Sequence, residues 1–240
     1  MNERARAEHD DHPDHRALAG GTPRAAVFGL SDGLVTNVSL IIGFASSGVG
    51  SSVVRLAGIA SAVAGAVSMA AGEWVSVKAQ NELVQREMAL ELRELKRNAR
   101  AETSELAGIY RSHGMSPEQA TAAATEVMRD PERAVMVHAR EEFGLDPAHL
   151  PQPVAVAVVS LISFLVGAML PVIPWLSGNG DSARAASIII GVVAAAMAGF
   201  AIAKQSERPA WLGVVRQVAI LIGAVAVTYA IGSLVGVNLA

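Results

Sequence analysis

The chain has 240 residues, of which 52% are hydrophobic and 17% are charged, and its formal net charge is -3. Soluble domains carry about 25% charged residues, whereas here the charges gather in blocks between long uncharged stretches, a pattern typical of membrane spans. There is no cysteine and no basic patch, which excludes disulfides, thiolate metal sites, cysteine nucleophiles and nucleic-acid binding.

Residues 1–24 form a polar segment that we expect to be a cytoplasmic tail. Three histidines, His9, His12 and His15, lie among several aspartates. We interpret the segment as a disordered tail, with weak metal collection as the alternative. It does not resemble a signal peptide, because no apolar run follows its first arginines directly.

Residues 25–77 are expected to form the first two transmembrane helices. Only Asp32 is charged between residues 25 and 54, which allows one span that ends at a Gly/Ser-rich turn. A charged side chain inside a span costs about 2.5–3.5 kcal/mol on insertion scales and usually marks a functional site. Asp32 is therefore a candidate pathway residue, with helix capping as the alternative. Gly33 beside it allows a neighbouring helix to approach closely.

The second span, residues 56–77, is expected to continue without a break into a charged helix. At 1.5 Å per residue, about fifty helical residues reach roughly 75 Å, more than twice the ~30 Å hydrocarbon core of a bilayer. One helix therefore joins the membrane to a row of carboxylates. Met69 offers a thioether sulfur to an ion, with packing as the alternative. A seven-residue repeat of glycines predicts a close helix contact: Gly58, Gly65 and Gly72.

Residues 78–149 are expected to be a helical domain outside the bilayer. Two pairs of glutamates, each three residues apart, project from a helix face, as a carboxylate-bridged ion requires: Glu91 with Glu94, and Glu102 with Glu105. Basic residues alternate with these glutamates, so a solvated charged face is the alternative. Ser116-Pro117 and Asp130-Pro131 begin two further helices, and the second carries His138 and Glu142.

Residues 150–240 are expected to contain the last three spans. Each is an uncharged stretch: residues 153–170, 185–203 and 217–240. The third span ends at Pro171 and Pro174, and Trp175 suits a membrane interface.

The short connectors predict the orientation of the chain. Basic residues precede the first span and cluster between spans four and five, at Lys204, Arg208 and Arg216. The positive-inside rule then places the N-terminus and residues 78–149 in the cytoplasm and the C-terminus outside. The predicted fold class is an all-α integral membrane protein with five transmembrane helices and a cytoplasmic helical metal-binding domain between helices two and three.

Several motifs in sequence order resemble the vacuolar iron transporter family and cover roughly residues 23–237. They are Gly29-Leu-Ser-Asp32-Gly33, Ala64-Gly-Ala-Val-Ser-Met69, Gly72-Glu-Trp-Val-Ser-Val-Lys78, Glu142-Phe-Gly-Leu145 and Leu170-Pro-Val-Ile-Pro174. The resemblance implies a bacterial member of this family in the cell membrane, built as a homodimer of five-helix subunits. It also implies export of Fe²⁺, and often Mn²⁺, from the cytoplasm in exchange for protons.

The resemblance assigns site residues as well. It places the pore residues at Asp32 and Met69, and the metal-domain ligands at Glu91, Glu94, Glu102, Glu105 and Glu142. Ser61 stands where plant relatives carry a second pore carboxylate, so Glu73, one turn beyond Met69, is a candidate pathway residue. Its alternative role is an interfacial anchor paired with Lys78. Two methionine positions of the family's metal domain fall on His138 and Ala139, and His138 is the candidate ligand there.

The ligand types restrict the ion. Carboxylates with at most a thioether or imidazole suit Fe²⁺ and Mn²⁺ better than Cu⁺, with Co²⁺ and Zn²⁺ as further candidates and no prosthetic group expected. Because carboxylates bind metal when deprotonated, proton coupling has a physical basis.

Two other classes of protein compete with a transporter. A ferritin-like di-iron oxidase requires Glu-x-x-His motifs, which the chain lacks, so no enzyme is expected. A non-transporting membrane scaffold or metal sensor, whose charged helices bind a partner, is the alternative.

Overall fold

The computed structural model describes residues 21–144 and 150–237, and within these ranges every regular element is a helix. The α-helices are α1 (Thr22–Ser46), α2 (Ser51–Ser112), α3 (Pro117–Val127), α4 (Pro131–Phe143), α5 (Pro153–Met169), α6 (Ile173–Ser177), α7 (Gly180–Gln205) and α8 (Ala210–Val237); a 3-10 turn, Leu170–Val172, lies between α5 and α6.

Five helical segments in the described ranges are long and apolar enough to cross a membrane: Thr22–Ser46, part of Ser51–Ser112, Pro153–Ser177, Gly180–Lys204 and Ala210–Val235. The predicted all-α class with five transmembrane helices is thereby confirmed. Nearly all of the predicted polar tail lies outside the described residues.

Helix α1 is the centre of the bundle. It packs against α2 and α5, which also contact each other, and against α7 and α8, which form a second contacting pair. Leu34, Val38 and Ile42 recur every four residues and pack with Ala195 of α7 and Leu221 of α8. This apolar face therefore joins α1 to the second pair.

Helices α1 and α5 come into direct backbone contact. A Cβ atom at Gly33 would overlap the carbonyl oxygen of Phe164, and one at Gly167 would overlap that of Leu30. Lipid gives helices no hydrophobic drive to associate, so backbone contact of this kind supplies van der Waals attraction. The close approach predicted at Gly33 is confirmed, and α5 is the helix that approaches.

We expect Gly33→Ala to destabilise the bundle by about 1–3 kcal/mol, because overpacking forces neighbouring backbone to move. Gly223→Ala on α8 is the matched control, since an added Cβ there meets nothing within 4 Å. Thermal unfolding in detergent measures both: the midpoint should fall for the first variant and not for the second. Equal midpoints would contradict the contact.

A buried polar residue ties three helices together. Asn37 of α1 is fully buried, and its Nδ2 donates hydrogen bonds to the carbonyl oxygens of Gly58 (3.0 Å) and Ala168 (2.7 Å). These acceptors belong to α2 and α5. The hydrogen bonds fix where α2 and α5 lie along α1, since each joins the Asn37 side chain to a particular turn of one neighbour.

The predicted glycine repeat of α2 makes contact over only part of its length. An added Cβ at Gly58 would meet Val172 and Ile41, and one at Gly65 would overlap the ring of Phe164. At Gly72 it would meet nothing within 4 Å.

The end of the third span differs from the prediction at Trp175. The two prolines interrupt α5 as expected, and the chain continues as the 3-10 turn and α6. Trp175 is only 2% exposed, however, and its Nε1 donates to Ser187 Oγ at 2.9 Å. Ser187 Oγ in turn donates to the carbonyl oxygen of Pro171 at 2.7 Å. A buried indole needs an acceptor, and α7 supplies it, which removes the side chain from the lipid interface.

The fifth span begins earlier than predicted. Helix α8 starts at Ala210, so Arg216 lies inside this helix and not in the connector. Lys204 is in the last turn of α7.

The helices between spans two and three begin and end where their caps predict. Ser116 and Gln119 form a capping box at the start of α3, and the Asp130 side chain accepts a hydrogen bond from the Glu132 N–H at 3.0 Å to start α4. Gly144 ends α4 in the left-handed region, with φ 62°. Helix α2 passes from its apolar part into its charged part without a break, but Asn98 interrupts it with φ -146° and ψ 57°.

Candidate metal centre

The kink at Asn98 creates the site. Glu91 and Glu102 lie on either side of it, and a straight helix would separate them by about 16 Å along its axis. Instead their carboxylates join His138 and Glu142 of α4, with one ligand atom from each residue within 4.8 Å of the others. We call these four residues the metal-ligand group. Asparagine is a poor helix former because its side chain competes for backbone hydrogen bonds, and this is the only local signal for the kink.

Apolar contacts hold α4 against both parts of α2. Leu95, before the kink, packs with Ala134 and Val135. After the kink, Leu106 belongs to a cluster against which Val137 packs. His138 and Glu142 are one helical turn apart and therefore face α2 together.

The imidazole of His138 lies at the centre of the metal-ligand group and is completely buried. Its Nδ1 is 3.1 Å from Glu91 Oε1, 3.2 Å from Glu142 Oε1 and 4.0 Å from Glu102 Oε2. Two ligands on opposite sides of an ion bound at about 2.1 Å are about 4.2 Å apart. The group is therefore close to the size of one bound cation.

Two atoms of the group are buried without a hydrogen-bond partner among the described residues: Glu91 Oε1 and His138 Nε2. Glu91 Oε1 is close to Nδ1, but within the described part of the chain Nδ1 forms its hydrogen bond with Glu142. An unpaired buried acceptor costs about 1–3 kcal/mol. A cation coordinated by Glu91 would satisfy this oxygen.

Burial raises the pKa values of two carboxyls in the group, Glu91 and Glu102. The pKa of Glu91 rises to about 7, first because burial disfavours its charge; the His138 charge opposes this, and Glu142, Glu102 and Glu94 add to it. The pKa of Glu102 is also raised, first by burial and then by Glu105. Several negative charges are thus costly here without a cation.

Metal binding by this group is expected to weaken as the pH falls below about 7, because a proton then competes for Glu91. Burial raises the pKa of the metal-free Glu91 to about 7, so metal binding releases a proton from Glu91 below about pH 7, and this release ends above that pH. Calorimetry in buffers of different ionisation enthalpy measures the released protons. Affinity that stays constant from pH 5 to 8 would contradict the assignment.

Glu94 and Glu105 lie at the exposed rim of the group and outside the 4.8 Å set. The three-residue spacing pairs Glu91 with Glu94 and Glu102 with Glu105. The structure instead brings together one member of each pair across the kink. The remaining two act on the buried carboxyls through their charge.

The predicted pathway residues lie in the helical bundle. Asp32 is half-buried on α1, and its Oδ1 accepts a hydrogen bond from Thr36 Oγ1 at 3.3 Å. Met69 on α2 is half-buried and packs on a cluster that includes Ala66 and Phe164.

Glu73 forms an ion pair that differs from the anticipated one. Its Oε2 is 3.0 Å from Arg24 Nη2, and its side chain is 10% exposed while that of Arg24 is 59% exposed. Lys78, the anticipated partner, lies 3.9 Å from Glu82 and covers the Trp74 ring. Arg24 is not among the predicted site residues, and its only sequence signal is its position just before an uncharged run.

Two contacts define how α1 and α2 align. Arg24 meets Glu73 at one end, and Asn37 meets the carbonyl of Gly58 farther along. Asp32 and Met69 lie between these contacts on the two helices. The candidate pathway residues therefore occupy one stretch of the same helix pair.

Comparison with known proteins gives one family. A protein named vacuolar iron transporter from Centaurea cyanus is 28% identical over 223 residues, covering 92% of this chain and 90% of the relative. Vacuolar iron transporter 1 of Oryza sativa subsp. japonica is 28% identical over 225 residues, covering 93% and 88%. A vacuolar iron transporter of Acanthamoeba castellanii is 33% identical over 165 residues, covering 68% and 59%.

These relatives are eukaryotic and do not bear out the bacterial origin that the resemblance suggests. The family model is described as the VIT family and matches residues 23–233. Since this match covers well over half of the sequence, the chain belongs to the VIT family.

Proposed function

We propose that the protein transports divalent transition-metal ions across a membrane, with Fe²⁺ as the first candidate and Mn²⁺, Co²⁺ and Zn²⁺ as further substrates. The names of its relatives support iron as the substrate. One observation carries the proposal: the helix that holds Glu91 and Glu102 is the same helix that enters the bundle with Glu73 and Met69.

We further propose a route for the ion. The metal-ligand group collects it in the cytoplasm, and the charges of Glu94 and Glu105 attract it to the rim. The ion then passes Glu73, Met69 and Asp32, at the axis of a homodimer in the cell membrane. The N-terminus and residues 78–149 face the cytoplasm, and the C-terminus faces outward.

Proton antiport follows from the chemistry of these ligands. A carboxylate must lose its proton to bind a metal ion, so arrival of an ion releases a proton and its departure restores one. Export from the cytoplasm is then coupled to proton entry. No enzymatic step is proposed.

Flux into sealed proteoliposomes tests this function. The flux is measured with each metal in turn, with and without a pH gradient. We expect metal uptake to increase when the gradient drives protons out of the vesicles, opposite to the metal. A protein that binds metal but carries none would be a membrane sensor or scaffold, and the transport proposal would then be wrong.

Glu73→Gln is expected to decrease the flux strongly. The buried carboxylate is neutralised by Arg24 at rest, and an arriving cation would compete with this guanidinium for the same oxygens. Glutamine keeps the shape but offers no charge to the ion. Metal flux, metal binding and subunit association should be measured together, and only flux should fall.

Lys78→Gln is the matched control, because Lys78 is a nearby cation that pairs with Glu82 and not with Glu73. Undiminished flux in Glu73→Gln would make the Arg24–Glu73 pair a structural anchor only.

A further inference from the structure

The metal-ligand group combines three carboxylates with one nitrogen donor. His138 is its only imidazole and has no exposed surface, whereas Glu142 at the edge of the group is partly exposed. The Nδ1 atom of His138 lies 3.1 Å from the carboxylate of Glu91, 3.2 Å from that of Glu142 and 4.0 Å from that of Glu102. A position this deep among acids puts the ring nitrogen beside the place that an ion held by those acids would occupy.

The unpartnered atoms of the group point to a ligand. Glu91 Oε1 is buried, has no hydrogen-bond partner in the ranges 21–144 and 150–237, and lies 3.1 Å from Nδ1. A neutral imidazole carries one proton, so Nδ1 offers its lone pair to an ion when the proton is on Nε2 and the ion replaces the hydrogen bond between Nδ1 and Glu142. A cation that touches Glu91 Oε1 would then also be within reach of Nδ1.

The kind of donor atom determines which ions the group binds more tightly. Mg²⁺ and Ca²⁺ prefer oxygen ligands and gain little from a nitrogen, while imidazole suits transition metals such as Fe²⁺ and Zn²⁺. Affinity of such a site rises along the series Mn²⁺, Fe²⁺, Co²⁺, and remains higher for Zn²⁺ than for Mn²⁺. A site of carboxylates alone would discriminate less.

We propose that His138 Nδ1 is a direct metal ligand and the specificity-determining residue of the group, which makes it favour Co²⁺ and Zn²⁺ over Mn²⁺ and reject Mg²⁺ and Ca²⁺. This inference rests on the proposed binding of metal by the group. It assigns to one side chain a selectivity for late transition metals that the glutamates do not supply.

Competition titrations on the full-length protein in detergent test the selectivity. His9, His12 and His15 are first replaced by glutamine in every sample, so that the tail contributes no imidazole. His138→Gln should weaken Zn²⁺ and Co²⁺ binding by at least about tenfold and Mn²⁺ binding by less than about threefold. His138→Glu, with four carboxylates, should increase binding of Mg²⁺ and Ca²⁺.

His113→Gln is the matched control. His113 is an exposed histidine that lies 3.5 Å from Glu141 and outside the metal-ligand group. Its replacement should leave the ratio of Zn²⁺ to Mn²⁺ affinity unchanged.

Pulsed electron paramagnetic resonance of bound Mn²⁺ gives a readout that does not depend on selectivity or transport. Nitrogen coupling from a directly bound imidazole should be present with the tail histidines replaced, should persist in His113→Gln and should vanish in His138→Gln. The first of these samples retains His138, so the measurement stands even if the His138 variants fold poorly.

Failure of the proposed metal site and failure of the His138 assignment would give different results. If no metal binds before His138 is changed, the proposed role of the whole group is wrong. If metal binds and requires Glu91, but nitrogen coupling is absent or the Zn²⁺ to Mn²⁺ ratio survives His138→Gln, only the assignment of His138 is overturned.

Discussion

Asp32→Asn is expected to abolish metal transport while the metal-ligand group still binds metal. A bare carboxylate within a membrane span is costly, so Asp32 is proposed to hold either a proton or a cation through the transport cycle. Asparagine can still accept the hydrogen bond that Thr36 donates, but it cannot exchange a proton for a metal ion. Flux of Fe²⁺ or Mn²⁺ into proteoliposomes should fall to background, and metal-linked proton movement should disappear with it.

Metal binding and thermal unfolding of the same preparation provide the controls for Asp32→Asn. Asp32→Glu keeps the titrating group and should retain measurable flux. If the asparagine variant transports at the normal rate and still moves protons, Asp32 is only a polar residue of α1 and the proposed coupling is wrong.

The double variant Glu91→Gln with Glu102→Gln is expected to lose metal binding, by at least about a hundredfold in affinity. Both carboxylates belong to the group whose ligand atoms lie within 4.8 Å, and their removal leaves His138 and Glu142. Two ligands do not hold a divalent ion in competition with water. Titration of the full-length protein in detergent measures the effect.

Glu94→Gln with Glu105→Gln is the matched control for this variant. It removes the same charge from the same helix, but from exposed residues outside the 4.8 Å set. We expect a much smaller loss of affinity, because the rim then attracts the cation less strongly. Equal losses in the two double variants would mean that all four glutamates coordinate metal, as the family resemblance implies.

Local sequence patterns predicted the five spans and most helix ends, although not the start of the fifth span or the kink at Asn98. Uncharged stretches identify the five spans because a span must bury or expose only apolar side chains in lipid. Ser116, Asp130 and Gly144 identify helix ends because each cap satisfies backbone groups within a few residues. Asp32 is recognisable for the same local reason, as the sole charge in its stretch. The side of the membrane on which residues 78–149 lie stays a prediction.

Contacts between distant residues were decided by packing. Glu91 reaches Glu102 only because the helix kinks at Asn98 and α4 packs on both sides of the kink. Arg24 pairs with Glu73 because α1 and α2 lie side by side in a particular alignment.

Trp175 is buried for the same kind of reason, because α7 supplies Ser187 as its acceptor. Periodicity and charge specify which face of a helix is apolar or acidic. Which residues then meet depends on how closely small side chains let neighbouring backbones approach. In this bundle, Gly33 and Gly167 set the distance between α1 and α5.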